Sequence, residues 1–211
     1  MDIDFVYIII VIVVVLLSMT LHEAMHAFAS YWLGDDTAKA LGRLSLNPIK
    51  HIDPFLTIIL PIMLAISGGP VFGGAKPVPF NFNNLKWGEW GVALVALAGP
   101  ITNLIIAFLV FGIWALIGIP STGILGKIFI TAISVNIGFS VFNMIPIPPL
   151  DGSRVLYALA PEFVRRGMES IEKFGILIVF GIILFAGSTF NNFISSAILF
   201  FVNIFGHIFG V

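Results

Sequence analysis

The feature that most constrains this chain is a series of long apolar stretches. Phe5–Leu33, Trp90–Gly118 and Ser121–Ile145 each exceed the about 20 residues that a helix needs to cross a bilayer. Two further stretches, Phe174–Gly187 and Phe190–Phe209, close the chain. Only 10% of the 211 residues are charged, against about 25% in soluble domains. The sequence therefore predicts an all-α polytopic membrane protein with about five transmembrane helices.

Charge and cysteine content exclude several classes of function. The net charge is −1 without a basic run, so the chain lacks the electrostatic footprint of a nucleic-acid-binding protein. It has no cysteine, and hence no disulfide framework, thiolate metal site or cysteine nucleophile. A cleavable signal peptide begins with positive charges, whereas this chain begins with Asp2 and Asp4. We therefore expect the first apolar stretch to stay in the bilayer as a helix.

The segment after the first helix does not have the pattern of a spanning helix. Ile52–Ser67 is apolar but short, Pro61 interrupts it, and glycine and proline residues follow up to residue 79. Such residues are typical of turns and extended chain. We expect Ile52–Phe82 to form a re-entrant hairpin with short strands. No internal repeat divides the chain, which predicts one membrane-embedded domain over residues 1–211, with a core at 5–163 and a C-terminal helical hairpin at 174–209.

The motif His22-Glu23-Ala24-Met25-His26 indicates a metal site. On a helix, residues i and i+4 share a face, so both imidazoles can bind one ion. Glu23 lies beside them and can act as the general base toward a water molecule. An ionisable side chain at membrane depth costs about 2.5 kcal/mol or more. Three such residues within five positions therefore indicate a shared metal rather than packing.

A catalytic zinc site needs a third protein ligand. The sequence offers His51, His207 and the few acidic residues, among which Asp151 stands out. His51 lies in a charged loop and His207 near the C-terminus, positions typical of interfacial histidines. Asp151 follows a proline-rich stretch, and broken backbone at membrane depth is tolerated only inside protein or beside water. Asp151 is therefore the favoured ligand, and a solvent-exposed helix N-cap is its alternative role.

Three motifs together resemble the site-2 protease family of intramembrane zinc metalloproteases. They are the histidine motif at 22–26, Gly99-Pro100-xx-Asn103, and Asn143-xx-Pro146-x-Pro148-x-Leu150-Asp151-Gly152. The stretches 41–54 and 74–79 are similar to the small prokaryotic branch of that family, which has no PDZ domain. One departure is Ser153, which stands after Gly152 where many relatives have a second glycine.

This resemblance implies a set of functional residues and one Zn²⁺ per chain. It implies zinc on His22, His26 and Asp151, with Glu23 as the catalytic base. Asn143 matches the position that the family pattern places near the scissile carbonyl, so it is implied as a second catalytic residue.

The implied function is hydrolysis of peptide bonds within transmembrane segments of single-span membrane proteins. It would serve regulated intramembrane proteolysis or the clearance of signal-peptide remnants. A metal-handling transporter is the alternative from another class, but the chain lacks an inverted repeat and transport gives Glu23 no purpose. A catalytically inactive, helix-binding relative is a further alternative, which the intact motif residues disfavour.

The two halves of the metal site also constrain topology. His22 and His26 lie in the second half of the first helix, whereas Asp151 lies just past the Ser121–Ile145 helix. Equal depth requires an even number of crossings between them, so Ile52–Phe82 must cross zero times in net. Nine of the ten Lys and Arg residues then lie on the motif side, and only Lys127 lies opposite. The positive-inside rule predicts an external N-terminus with zinc toward the cytoplasm. The resemblance implies that the membrane is a prokaryotic cell membrane.

Overall fold

The computed structural model describes residues 4–59, 62–63, 66, 75–185 and 187–211. The α-helices with described bounds are α1 (Phe5–Trp32), α2 (Thr37–Ala40), α3 (Glu89–Ile117), α4 (Gly123–Asn143), α5 (Asp151–Leu159), α6 (Glu162–Glu172), α7 (Gly175–Phe185) and α8 (Gly187–Phe209). Within the described residues there is no β-strand. Four helices, namely α1, α3, α4 and α8, are long and apolar enough to cross a membrane. The predicted all-helical membrane protein is confirmed at this level.

Two parts of the predicted topology are not confirmed. The fifth predicted span, Phe174–Gly187, corresponds to α7, whose 11 residues are fewer than the about 20 that a spanning helix needs. The predicted hairpin has helical turns at Pro54–Ile59 and Phe82–Asn84. Apart from positions 62, 63 and 66, residues 60–74 of this predicted hairpin lie outside the described residues. The predicted strands therefore stay a prediction.

The directions of the helices follow from contacts at their ends. At one end, the Lys86 amide donates to the Leu33 carbonyl over 2.9 Å, so α3 begins where α1 finishes. At the opposite end, Asp4 and Lys127 form an ion pair that joins the first turns of α1 and α4. Helices α1 and α4 therefore start together, and α3 runs back between them. The segment of residues 34–85 therefore begins and ends at the same end of the helix bundle.

Packing is concentrated between the long helices. One cluster joins α3, α4 and α8, and its buried residues are Ala107, Phe111, Ile133, Ile137 and Phe205. A second joins α1 to α4 through Val11, Val15 and Phe139. Large apolar side chains also cover the outward faces, such as Ile9, Val13 and Leu17 on α1. An apolar outer surface of this kind suits contact with lipid.

Local sequence signals determine where the long helices begin and end. The Asp4 carboxylate caps α1 by accepting the Tyr7 amide over 3.0 Å. Gly118 ends α3 in the left-handed conformation, with φ at +67°. Helix α4 ends at Asn143 because Pro146 disfavours helical backbone in the residue before it. The chain then turns over residues 144–150 and starts α5 at Asp151, beside α1.

Candidate metal centre

The two motif histidines point their outer ring nitrogens at one place. His22 and His26 lie one turn apart on α1, and both are buried. Their Nε2 atoms are 3.0 Å apart, and their rings meet edge to face with centroids 4.6 Å apart. The helical spacing therefore gives the shared face that the sequence predicted.

Asp151 completes a three-residue cluster with these histidines. Its Oδ2 atom lies 3.1 Å from His22 Nε2 and 3.5 Å from His26 Nε2. Donor atoms of the three residues all lie within 4.8 Å of one another. Asp151 is only half-buried as a residue, but its Oδ2 atom is buried and has no hydrogen-bond partner among the described residues.

The inner ring nitrogens explain why that oxygen has no donor. His22 Nδ1 lies 2.6 Å from Asn103 Oδ1, and His26 Nδ1 lies 2.8 Å from the Val95 carbonyl. Both partners are acceptors, so each Nδ1–H donates and each neutral ring presents a lone pair at Nε2. Two imidazole lone pairs and a carboxylate oxygen that face one another form a set of donors for a cation. Two histidines and one carboxylate are a known donor set of catalytic zinc, so the residues present fit the metal.

Gly99 forms one wall of this cluster. A Cβ atom at position 99 would lie 2.5 Å from His26 Nε2 and 2.6 Å from His22 Nε2. Both rings are held at Nδ1, so neither can move away easily. Helix α3 therefore approaches the histidines this closely only because residue 99 has no side chain.

A second glycine sets the position of Asp151. A Cβ atom at Gly152 would lie 2.2 Å from the Met144 carbonyl oxygen. The close contact lets the first turn of α5 pack onto the end of α4. Asp151 is the first residue of α5 and is thereby held against α1.

Glu23 contacts the last part of the predicted hairpin, the non-helical segment at residues 75–81. Its Oε2 atom accepts the Val78 amide over 2.9 Å. The same segment is fixed at Lys76, whose amide donates to the His51 carbonyl and whose carbonyl accepts from Arg43 Nη2. The loop therefore orients the predicted base from one side.

A cavity of about 500 Å³ opens onto the cluster. Both histidines, Glu23 and Asp151 line it, and most of its other lining side chains are apolar. These others include Met19, Val78, Phe139, Phe142, Leu150 and Val179. The site thus combines a few polar groups with an apolar wall, as binding sites for apolar substrates do.

Asn143 lies at the cavity but apart from the three clustered residues. It is the last residue of α4, and its Nδ2 donates to the Phe139 carbonyl over 3.0 Å. An amide nitrogen carries two hydrogens, so a second donor is available to the cavity. The geometry brings Asn143 near the site and leaves its catalytic role a prediction.

The two alternative third ligands do not join the cluster of described residues. His207 is exposed on α8. His51 is buried in the loop, where Nε2 donates to the Ser45 carbonyl over 2.7 Å and Nδ1 faces Arg43. Burial, with the Arg43 charge added, lowers the pKa of His51 below its ordinary value. His51 therefore has a structural role in the loop, through its contacts with Ser45 and Arg43.

Two residues of the site had no assigned role in the sequence. Gly99 and Asn103 belonged to a motif noted only for its resemblance, although the spacing of four residues places them on one face of α3. Their importance depends on packing between α1 and α3. A glycine facing a metal motif across a helix contact is the signal that could have identified Gly99.

The fold and site define a class, a helical membrane protein with a buried two-histidine, one-carboxylate metal centre and a neighbouring glutamate. Comparison with known proteins agrees with this class. Residues 117–186 match Peptidase family M50. No solved structure matches the chain.

Two similar proteins are both named as zinc metalloproteases. The chain is 41% identical to "Putative zinc metalloprotease YwhC" of Bacillus subtilis over 171 residues, which are 77% of this chain and 74% of YwhC. It is 34% identical to "Putative zinc metalloprotease Rip2" of Mycolicibacterium smegmatis, over 78% of this chain and 62% of Rip2. The chain therefore belongs to the M50, or site-2 protease, family, and it is a membrane zinc metalloprotease.

Proposed function

We propose that this chain is an intramembrane protease that cleaves transmembrane segments of single-span membrane proteins. The observation that supports this most strongly is a zinc-type donor set in which two of the three residues, His22 and His26, lie inside a spanning helix. His22 lies ten residues before the end of α1 at Trp32, which is about 15 Å at about 1.5 Å per residue. That distance is about half of the about 30 Å hydrocarbon core. Trp32, Trp87 and Trp90 are exposed near the same end, as is typical of a membrane interface.

The proposed zinc ligands are His22, His26 and Asp151. Bound zinc would supply a Lewis acid and lower the pKa of water to about 7. Glu23 takes the proton from the attacking water and transfers it to the leaving amine. The Val78 amide fixes one Glu23 oxygen, and the other oxygen can accept that proton.

Asn143 is proposed to stabilise the charge on the scissile carbonyl. Its amide lies at the cavity wall and has one hydrogen beyond the Phe139 bond. A single donor of this kind contributes about 10²–10³ in rate in other hydrolases. Because Asn143 is held by its own helix, the donor is preorganised.

The segment Ala75–Phe80 is proposed to bind the substrate backbone. Pro77 and Pro79 are exposed, and the segment lines the cavity beside Glu23. A helical substrate must unwind before a peptide bond can be hydrolysed, and its unwound strand can pair with an exposed strand edge. Proline has no amide hydrogen, so this edge would receive donors from the substrate.

We also propose the orientation and extent of the domain. Nine basic residues belong to the end of the bundle that carries the loop, α5 and α6, and Lys127 lies at the Asp4 end. The positive-inside rule then favours an external N-terminus and a zinc site nearer the cytoplasm. In this arrangement residues 1–211 act as one membrane-embedded domain with a re-entrant hairpin and a C-terminal helical pair.

The proposal is tested with purified protein and a panel of single-span substrates that includes signal-peptide remnants. Wild-type protein is expected to bind about one zinc per chain and cleave within the apolar segment. Glu23→Gln is expected to bind zinc normally and lose cleavage, because it keeps the shape and loses the proton acceptor. His22→Ala and Asp151→Ala are expected to lose most zinc. The matched control is Glu162→Gln, at an exposed surface position.

Three outcomes contradict the proposal. Cleavage by Glu23→Gln near the wild-type rate would exclude Glu23 as the base. Zinc binding without cleavage of any substrate in the panel would favour an inactive or transporting relative. Full zinc retention in Asp151→Ala would remove Asp151 from the metal site.

A further inference from the structure

Two asparagine side chains are buried where three spanning helices meet. Asn103 on α3 is fully buried and Asn136 on α4 is 2% exposed, and Asn103 also contacts α1 at the Ser18 carbonyl. Removing an amide from water is unfavourable unless the amide finds hydrogen-bond partners inside the protein. Two of them side by side among apolar helices therefore require defined partners.

The orientation of both amides follows from main-chain carbonyls, which can only accept. Asn136 Nδ2 donates to the Ala132 carbonyl over 2.8 Å, so Asn136 Oδ1 is the atom that faces Asn103. Asn103 Nδ2 donates to that Oδ1 over 2.8 Å and to the Ser18 carbonyl over 3.3 Å. The remaining Asn103 atom, Oδ1, therefore faces His22 Nδ1 at 2.6 Å.

We propose that Asn103, held in place by Asn136, is a positioning residue that fixes the tautomer of His22. In this series of hydrogen bonds Asn103 Oδ1 accepts the Nδ1 proton, which leaves the Nε2 lone pair directed at the metal position. The inference rests on the proposed function, because it takes His22 as a zinc ligand. It assigns a role in the metal site to Asn136, which touches neither the metal ligands nor the cavity among the described contacts.

The two histidines differ in how their tautomer is set. His26 Nδ1 donates to the Val95 main-chain carbonyl, which no side-chain substitution removes. His22 depends on side chains alone, so its geometry can be altered by a single substitution. Loss of such a supporting hydrogen bond typically weakens metal binding about 10–100-fold.

A purely structural role is the competing explanation. Hydrogen bonds between spanning helices each make a modest contribution to the stability of a helix bundle. Asparagines acting only in this way would change thermal stability and leave zinc affinity unchanged in the protein that remains folded. The two roles are therefore separated by measuring the metal and the histidine directly.

Zinc affinity is measured by competition with a chelator for purified, folded variants. Asn103→Leu is expected to bind zinc about 10–100-fold more weakly. Asn103→Asp keeps an acceptor for Nδ1–H but loses the amide donors to Asn136 and Ser18, so it is expected to lose less affinity than Asn103→Leu. Asn136→Leu is expected to lose less than Asn103→Leu, and the double variant is expected to be no weaker than Asn103→Leu alone. Thr102→Val is the control, since among the described residues the Thr102 hydroxyl donates within its own helix, to the Ala98 carbonyl.

The tautomer is observed by ¹⁵N NMR of metal-free protein labelled at histidine. The chain has four histidines, so the spectrum can be assigned by single substitution. We expect the Nδ1–H form of His22 in wild type and in Asn103→Asp, and its loss in Asn103→Leu. Should Asn103→Leu fail to fold, Asn136→Leu provides both readouts.

The inference is overturned if the leucine variants keep wild-type zinc affinity or an unchanged His22 signal. It is also overturned if the two single losses add in the double variant. Because neither readout uses cleavage, a protein that binds zinc but cleaves nothing would contradict the proposed function and leave this inference standing.

Discussion

At the scale of single residues, Gly99 determines how closely α3 can approach the metal centre. We expect Gly99→Ala to weaken zinc binding by roughly 5- to 150-fold, the equivalent of an overpacking cost of about 1–3 kcal/mol. The physical reason is the 2.5–2.6 Å approach of the added Cβ to both Nε2 atoms. Zinc content and chelator competition measure the effect.

A matched glycine provides the control for this prediction. Gly138 also lies in a spanning helix, and a Cβ there would meet its nearest neighbour, Ile198 Cδ1, only at 4.0 Å. Gly138→Ala is expected to bind zinc like wild type. Equal zinc affinity in both alanine variants would show that the histidine rings can shift and that Gly99 is not a fixed wall.

The residues that could be predicted from sequence are those with a chemical signature in the chain itself. His22, Glu23 and His26 share one helix, so spacing alone was sufficient. Asp151 required broken backbone near a membrane face and a family resemblance. The role of Asn136 could not be predicted, because it exists only where α1, α3 and α4 meet. A role that a residue acquires only through contacts between helices leaves no local pattern in the sequence.

At the scale of elements, the loop between α1 and α3 is expected to be sensitive to acid. Its buried His51 has a lowered pKa, caused by burial and then by Arg43 and Lys50, with Glu23 acting in the opposite direction. The unfolded chain, with a histidine pKa of about 6.5, therefore binds more protons below that pH. Stability is fully present above about pH 6.5 and falls as the pH drops below it.

Thermal inactivation of purified protein across pH 5–8 checks this expectation. His51→Gln keeps a donor for the Ser45 carbonyl but cannot be protonated, so its stability should depend less on pH below about 6.5. His207→Gln, at an exposed position on α8, is the control and should follow wild type. If His51→Gln shows the full wild-type loss at low pH, another group is responsible.

The elements themselves were predictable to different degrees. The spans α1, α3 and α4 were predicted within a few residues, because long apolar stretches bounded by glycine, proline or charge leave little choice. Helix α6 was not predicted, because Glu162–Glu172 is polar and amphipathic rather than apolar. The stretch Phe174–Gly187 was predicted to span the membrane, whereas α7 has only 11 residues. Hydrophobicity predicts that a stretch is buried or in lipid, and it does not determine where a helix starts and stops.

At the scale of the whole molecule, the proposed topology predicts which positions are accessible from each side. The chain lacks cysteine, so Lys50→Cys, Lys86→Cys and Ser121→Cys can be labelled singly with an impermeant thiol reagent. Positions 50 and 86 are expected to react from the cytoplasmic side and position 121 from the other. The reason is that residues 34–85 return to the end from which they leave.

The unsubstituted chain is the background control, since it has no thiol to label. Labelling of positions 50 and 86 from opposite sides would contradict the described meeting of Leu33 and Lys86. Labelling of 50 and 86 together from outside would leave the fold intact and reverse its orientation in the bilayer.

The mid-depth position of His22 on α1 has a consequence for the products of the proposed reaction. A substrate span of about 20 residues cut near its centre leaves two apolar ends of about ten residues each. Neither end is long enough to cross the bilayer, and each now carries one new charged terminus. A single cleavage would therefore turn a permanent anchor into two weakly held fragments, which can leave the membrane without any further enzyme.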